Sequence, residues 1–303
     1  MWTEGIGSDL RKGAVHQPVM VDEVLFYLNL KDSRLVVDGT CGEGGHTEEI
    51  LKNSPVHSIV LAMDRDPEIL EVAKKRLSGE KRVVFVNENY RNLADVLKSL
   101  HLGKADAIFL DLGMSSYHLK EVERGFSFDS FSLDMRYDRR EGISAEEFIH
   151  KASKEEMARV FWKYGEERRA SYIAALLVAE RRKRRIASGR DLASLIEQRV
   201  GRRERIHPAT RVFQALRIFV NNELEHLERF LETLPEVLTR KGRFVSLSFH
   251  SLEDRLVKQS LKRYEKEGLL RILTKKVVRP SKEEVCLNPN SRSARLRAAE
   301  ARE

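Results

Sequence analysis

Short apolar runs rich in β-branched and aromatic residues alternate, over the first third of the chain, with stretches whose apolar positions recur at helical spacing. Residues 34–38 read as a strand, and the loop Gly39-Thr40-Cys41-Gly42-Glu43-Gly44-Gly45 separates it from a helix beginning near His46. A second strand at 58–63 ends at Asp64. Asp66 then caps a helix opened by Pro67, with Ile69, Leu70, Ala73 and Leu77 on one face. The pattern repeats with a strand at 82–86, a helix at 92–100 and a nearly continuous apolar strand at 105–110 of the kind buried in parallel sheets. Units of this kind join parallel strands through right-handed crossovers and predict a doubly wound sheet.

Alternation stops near Tyr117. From there to Leu238 no strand pattern appears, whereas Ser144 with Glu147 and Ser153 with Glu156 have the spacing of capping boxes. Strand and helix signals return at 242–248, 251–266, 270–273 and 294–298. The predicted architecture is an α/β, Rossmann-like doubly wound sheet built from residues 1–116 and 239–303, with an all-helical domain, 117–238, inserted after the fourth strand.

With 41% hydrophobic and 34% charged residues, the 303-residue chain has material for a large core and is neither disordered nor fibrous in type. Its longest strictly apolar run, 173–179, is far below the ~20 residues that span a bilayer. The first residues carry no basic-then-apolar signal pattern, so a cytoplasmic protein with no membrane partner is expected. Cys41 and Cys286 lie far apart without other ligand residues at metal spacing, so neither a disulfide framework nor a metal is predicted. The net charge of +8 is local: residues 163–217 hold 15 Lys and Arg against 6 Asp and Glu, an excess that leaves the remainder near neutrality. A charge run is ordinarily a solvated face. Here Arg181-Arg182-Lys183-Arg184-Arg185 is followed by Arg190, Arg199, Arg202, Arg203 and Arg205 with few acids between, which favours a surface for a polyanion.

A glycine loop after the first strand is where a doubly wound fold holds an adenosine-containing ligand, because Gly42, Gly44 and Gly45 let backbone N–H groups approach it. Thr47 stands where G-x-G-x-x-G needs its third glycine, which disfavours NAD. The segment Asp38-Gly39-Thr40-Cys41-Gly42-Glu43-Gly44-Gly45 instead resembles the acidic first motif of S-adenosylmethionine-dependent methyltransferases. Asp64, at the next strand end, is placed to accept both ribose hydroxyls, although an acid can also simply end a strand. Asp111 closes the fourth strand and heads Asp111-Leu112-Gly113-Met114-Ser115-Ser116. It suits the task of holding the N–H groups of an exocyclic base amine, and a cofactor contact or loop cap is an equal alternative. Cys41 lacks the Pro-Cys context of covalent ring-carbon methylation and reads as loop packing.

Further motifs run nearly end to end: His16-Gln17-Pro18-Val19-Met20, Asp64-Arg65-Asp66-Pro67, Glu123-Arg124-Gly125-Phe126-Ser127-Phe128, Leu133-Asp134-Met135-Arg136 and Tyr164-Gly165-Glu166-Glu167. Then follow the stretch from His207-Pro208-Ala209-Thr210-Arg211 to Arg217, and Ser248-Phe249-His250-Ser251-Leu252-Glu253-Asp254-Arg255. In these the chain resembles bacterial S-adenosylmethionine-dependent methyltransferases that modify the N4 amine of a cytidine in small-subunit (16S) ribosomal RNA. The resemblance implies a class I methyltransferase fold, S-adenosylmethionine as cofactor, and cofactor contacts at Gly44, Gly45, His46, Asp64, Tyr90, Asp111 and His118. Tyr90 stands where the family often has Phe, His118 where it often has Gln, and Asn290 where Arg is usual. Tyr90 keeps an aromatic face for adenine, and His118 adds a pH dependence that Gln lacks.

Arg211, Gln214 and Arg217 follow one another at helical spacing and suggest a polar stripe for RNA beside the arginine run, with Pro208 opening the helix. His250 and Asp254 sit just past the fifth strand and are candidates for positioning the base. Direct in-line transfer to an unstacked cytidine, with the helical domain gripping RNA, is the expectation. A DNA amino-methyltransferase would carry Asp/Asn-Pro-Pro-Tyr/Phe where this chain has Asp-Leu-Gly-Met, and a non-catalytic ribosome-assembly protein would keep the fold without turnover. Monomer and homodimer are both compatible with the sequence.

Overall fold

A computed structural model describes residues 18–201 and 206–302. Arg202, Arg203 and Arg205, and the His16-Gln17 start of the first shared motif, lie outside the described residues. In chain order the elements are α1 (Val21–Leu28), β1 (Leu35–Asp38), α2 (Gly45–Asn53), β2 (Ile59–Asp64), α3 (Pro67–Arg76), β3 (Val83–Asn87), α4 (Leu93–Ser99) and β4 (Ala105–Asp111). Six helices follow: α5 (Ser116–Lys120), α6 (Ala145–Lys151), α7 (Lys154–Gly165), α8 (Ala170–Arg181), α9 (Gly189–Val200) and α10 (Thr210–Val220). The chain continues with α11 (Glu223–Val237), β5 (Leu238–Ser248), α12 (Ser251–Lys266), β6 (Leu270–Ile272), α13 (Lys282–Leu287) and β7 (Arg295–Ala301). The described residues divide into two compact units, one of residues Met114–Glu223 and one of residues 18–113 together with 224–302.

In the second of these, the seven strands form one sheet in the order β3-β2-β1-β4-β5-β7-β6, with β7 antiparallel to its neighbours. The order reverses between β1 and β4, and in an open α/β sheet the crevice outside the carboxyl ends of such strands is where ligands bind. Alternate residues serve the two faces. Val37, Leu61 and Leu110 pack with Leu227, Phe230 and Leu234 of α11, while Val36, Val60 and Phe109 pack with Val24, Leu28 and Ile50 of α1 and α2. Each such fully buried side chain contributes about 1.5–3 kcal/mol relative to exposure. Asp66 caps α3 as the sequence predicts, its side chain accepting the N–H groups of Glu68 and Ile69.

The helical unit has a core of its own, with Phe126, Phe148, Phe161, Ile173, Leu192 and Phe213 among its buried residues. Both predicted capping boxes form, at α6 and α7. A Cβ on Gly165 would collide with the carbonyl of Arg211, so the glycine allows α7 and α10 to pack backbone to backbone. Two expected boundaries shift. The helical unit ends at Glu223 rather than at 238, because the apolar face of α11 belongs to the core of the sheet unit. Periodicity says that a face is buried, not against what. Likewise α10 opens at Thr210, with Ala209 at its N-cap, so Pro208 precedes the helix instead of starting it.

Candidate active site

Asp38, Asp64 and Asp111 end β1, β2 and β4, so the topology delivers three carboxylates to one edge of the sheet. Asp38 is fully buried and organises the glycine loop: its Oδ1 accepts the Thr40 N–H at 3.2 Å and its Oδ2 the Thr47 hydroxyl at 2.7 Å. Burial pushes its carboxyl up to about 6, against the pull of the Thr47 hydrogen bond. Asp64 holds the next turn of the loop. Its Oδ2 accepts the Gly42 N–H at 2.9 Å and its Oδ1 the Asp66 N–H at 2.9 Å, and burial pushes this carboxyl, too, up to about 6. Gly44 sits at φ +82° as the N-cap of α2, a left-handed conformation that strains any side chain. The first-turn N–H groups of a helix have no intrahelical partner, so those of Gly45 and His46 open α2 as potential donors.

Asp111 is fixed from its own backbone, its N–H donating to Thr40 Oγ1 at 2.6 Å while its Oδ1 accepts the Gly113 N–H at 3.1 Å. Its Oδ2 lies 3.5 Å from His46 Nδ1, and the opposite ring nitrogen of His46 lies 2.9 Å from the Val19 carbonyl. Tyr90 is half-buried in the turn after β3, beside Gly39 and edge-on to Phe230 at 5.7 Å. Gly42, Gly44, Gly45, His46, Asp64, Tyr90 and Asp111 thus all lie at the strand-end edge of the sheet unit. Sequence reasoning gave no role to Thr40, Thr47 or the Val19 carbonyl, and read Asp38 only as a motif member. Neutral hydroxyls and a carbonyl leave no charge signal to find them by.

His118 belongs to the helical unit, 4% exposed in an aromatic cluster with Phe126 and Tyr137 at 5.0 and 4.8 Å. His250 serves as the N-cap of α12, its Nδ1 accepting the Glu253 N–H at 3.4 Å. Asp254 is held by Arg297, whose Nε donates to its Oδ1 at 2.6 Å. His250 and Asp254 thus have a cap and a charge partner at the start of α12. Arg217 is corrected: it is 7% exposed and donates to Glu223 Oε2 at 3.0 Å. Gln214 donates to the Tyr164 carbonyl at 2.9 Å, and Arg211 stands 4.0 Å from Glu167. The three do not form one exposed stripe.

Within the arginine run, Arg181 donates to the carbonyls of Ile149 and Ala152 at 2.5 and 2.7 Å and so closes the end of α6. Arg184 pairs with Glu180 at 2.8 Å, Arg185 with Glu146 at 2.5 Å, and Lys183 lies 3.9 Å from Glu180. Arg182 is exposed and makes no ion pair among the described residues. Nearby in the same unit, Glu167, Arg168, His207 and Arg211 line a cavity of about 190 Å³.

A family description, the MraW methylase family, matches residues 13–302. The chain belongs to the MraW methylase family. It is 43% identical over 293 residues to a ribosomal RNA small subunit methyltransferase H of Dictyoglomus thermophilum, covering 96% of this chain and 98% of that one. It is 45% identical over 287 residues to the protein of the same name from Endomicrobium trichonymphae, covering 94% and 98%. Among solved structures, an rRNA methylase from Streptococcus thermophilus aligns over 93% of this chain and 92% of its own, at 12% identity and a TM-score of 0.43. As an MraW-family methylase, the chain has the α/β sheet and the strand-end acids that its sequence leads one to expect. No helix among its described residues is long and apolar enough to cross a membrane.

Proposed function

We propose that the chain transfers the methyl group of S-adenosylmethionine to the N4 amine of a cytidine in small-subunit ribosomal RNA, a substrate met in the cytoplasm. The observation that carries the reading is Asp64 and Asp111 on the ends of the two strands that flank β1, tied to the one glycine loop that follows β1, in a chain whose relatives are named ribosomal RNA methyltransferases. Those names favour RNA over the DNA alternative and an enzyme over a non-catalytic assembly protein.

The donor set fits the cofactor. Each oxygen of Asp64 accepts one backbone N–H and keeps a lone pair, which suits the two hydroxyls of a ribose. Gly44 turns the loop in a left-handed conformation against Ala73 and Leu77, Gly42, Gly45 and His46 stand beside it in the chain, and the half-buried ring of Tyr90 offers a face for adenine. S-adenosylmethionine supplies an electrophilic methyl carbon on a sulfonium. The amine nitrogen is a weak nucleophile because its lone pair is delocalised into the ring. Asp111 accepts one of its N–H groups, turning the lone pair toward the methyl carbon and favouring the nitrogen as it becomes cationic. Because Thr40 and Gly113 fix Asp111 through its backbone and Oδ1, little reorganisation remains at the moment of transfer.

For the RNA, Arg182 and Lys183 on the exposed side of the helical unit, and the cavity at Arg168 and Arg211, are the phosphate-facing groups we assign. The paired Arg184 and Arg185 contribute less, and Arg181 and Arg217 hold the unit's own structure. The test is nucleoside mass spectrometry of small-subunit RNA from cells lacking the gene. One cytidine should be lighter by a methyl group, and complementation with wild type, but not with Asp111→Ala, should restore it. An RNA unchanged by deletion would remove the reading.

A further inference from the structure

Methylating an amine leaves a proton to be disposed of, and one contact at the strand-end edge brings a ring nitrogen of His46 to the carboxylate of Asp111. His46 is 8% exposed, its ring packed against Phe109 at 4.7 Å, with one nitrogen directed at a backbone carbonyl and the other at a carboxylate. The Val19 carbonyl can only accept, so Nε2 carries the hydrogen in the neutral ring. Nδ1 then presents a lone pair to Asp111 Oδ2 across 3.5 Å, longer than a hydrogen bond. Two lone pairs facing each other form a gap that one proton closes. The other oxygen of Asp111 is already engaged by Gly113, which leaves Oδ2 as the atom facing the ring. Among the described residues, the carboxylates of Asp111 from β4, Asp38 from β1 and Glu284 from α13 interact electrostatically with the ring.

From this geometry, and resting on the amine-methylation reading above, we propose that His46 and Asp111 together are the acceptor of the proton the amine releases. The nitrogen lone pair forms the N–C bond, and the departing sulfur keeps the electron pair of the S–C bond. The cationic nitrogen then loses one proton, keeping the electron pair of that N–H bond. Asp111 Oδ2 takes the proton and shares it with His46 Nδ1, from which it returns to solvent after product leaves. His46 acts through Asp111, as a positioning and proton-sharing residue whose tautomer Val19 sets.

The test combines single-turnover methyl transfer on small subunits with ¹⁵N NMR of labelled histidine. In His46→Gln the amide can still donate to the Val19 carbonyl but cannot share a proton. With S-adenosylmethionine saturating, so that any change in cofactor affinity is removed from the comparison, the rate at pH 8 should fall by about 10²-fold, the usual scale of an acid–base contribution. The pH dependence of the rate should differ in shape between wild type and the variant, which has lost the shared proton. In the NMR spectrum of the wild type, Nε2 should carry the hydrogen at pH 8 and Nδ1 should gain one as pH falls. In Asp111→Asn, a readout independent of turnover, that gain should need a lower pH. An Nδ1–H tautomer at pH 8, a titration unmoved by Asp111→Asn, or a His46→Gln profile parallel to wild type would overturn the shared-proton assignment while wild type still methylates. A wild type that transfers no methyl to the amine would overturn the functional reading beneath it.

Discussion

The sheet unit and the helical unit handle charge in opposite ways. At the strand-end edge, three acids are buried or half-buried, and every oxygen that holds the loop has a named backbone or hydroxyl donor. On the helical unit, five consecutive basic residues share one stretch of chain and yet divide their work: Arg181 closes α6, Arg184 and Arg185 sit in ion pairs, and Arg182 is left to solvent. Where burial is deep, position dictates role. At a surface, sequence proximity does not.

That contrast can be broken first at Asp111. Asp111→Ala should lower single-turnover methyl transfer by about 10²–10⁴-fold, with S-adenosylmethionine affinity changing little in calorimetry. A comparable loss of affinity would make Asp111 a cofactor anchor instead. Next, Asp64→Ala removes two hydrogen bonds accepted by a charged group, each worth about 1.5–3 kcal/mol. Cofactor affinity should fall by at least about 10²-fold while RNA binding by filter retention is unchanged.

Acid should mimic that variant in part. The Asp64 carboxyl titrates at about 6, and its ionised form is the better acceptor of two hydroxyls. Cofactor affinity should thus drop about tenfold from pH 7 to pH 5, as the ionised fraction falls by that factor. The sign for stability is opposite. A carboxyl raised from 3.8 to about 6 favours the folded chain below its unfolded value and loses that contribution as pH rises through 6, so Asp64→Asn should raise the apo melting temperature more at pH 7 than at pH 4.

On the helical side the effects are smaller and separable. Arg182→Ala with Lys183→Ala should weaken RNA binding and reduce the slope of log affinity against log salt by up to about 2, with the melting temperature preserved. Arg181→Ala should do the reverse, destabilising by about 1–3 kcal/mol through unsatisfied carbonyls and hardly altering the salt slope. Equal behaviour of both variants would erase the distinction drawn within the run.

The fold was legible where local signals coincide with tertiary ones. Asp66 before Pro67, the two capping boxes and the apolar strand ending at Asp111 each specify one structure at short range. Asp64 and the glycine loop were legible for the same reason, since strand ends are readable and the topology brings them together. Less was visible where identity does not fix partners. The face of α11 carries the same periodicity whichever core it joins, and Arg217 looks in sequence like any helical arginine until Glu223 is seen to hold it. His46 was readable as a cofactor neighbour by resemblance, but nothing in the chain announces that the Val19 carbonyl, 27 positions away, stands 2.9 Å from its ring.

The most direct measurement is to incubate the protein with small ribosomal subunits and S-adenosylmethionine bearing a trideuterated methyl group, then digest the RNA and fragment its nucleosides by mass spectrometry. One cytidine should carry the heavy methyl on its exocyclic nitrogen, in wild type and not in Asp64→Ala with Asp111→Ala. Heavy methyl on a ring carbon or a ribose oxygen, or none on the RNA at all, would contradict the account.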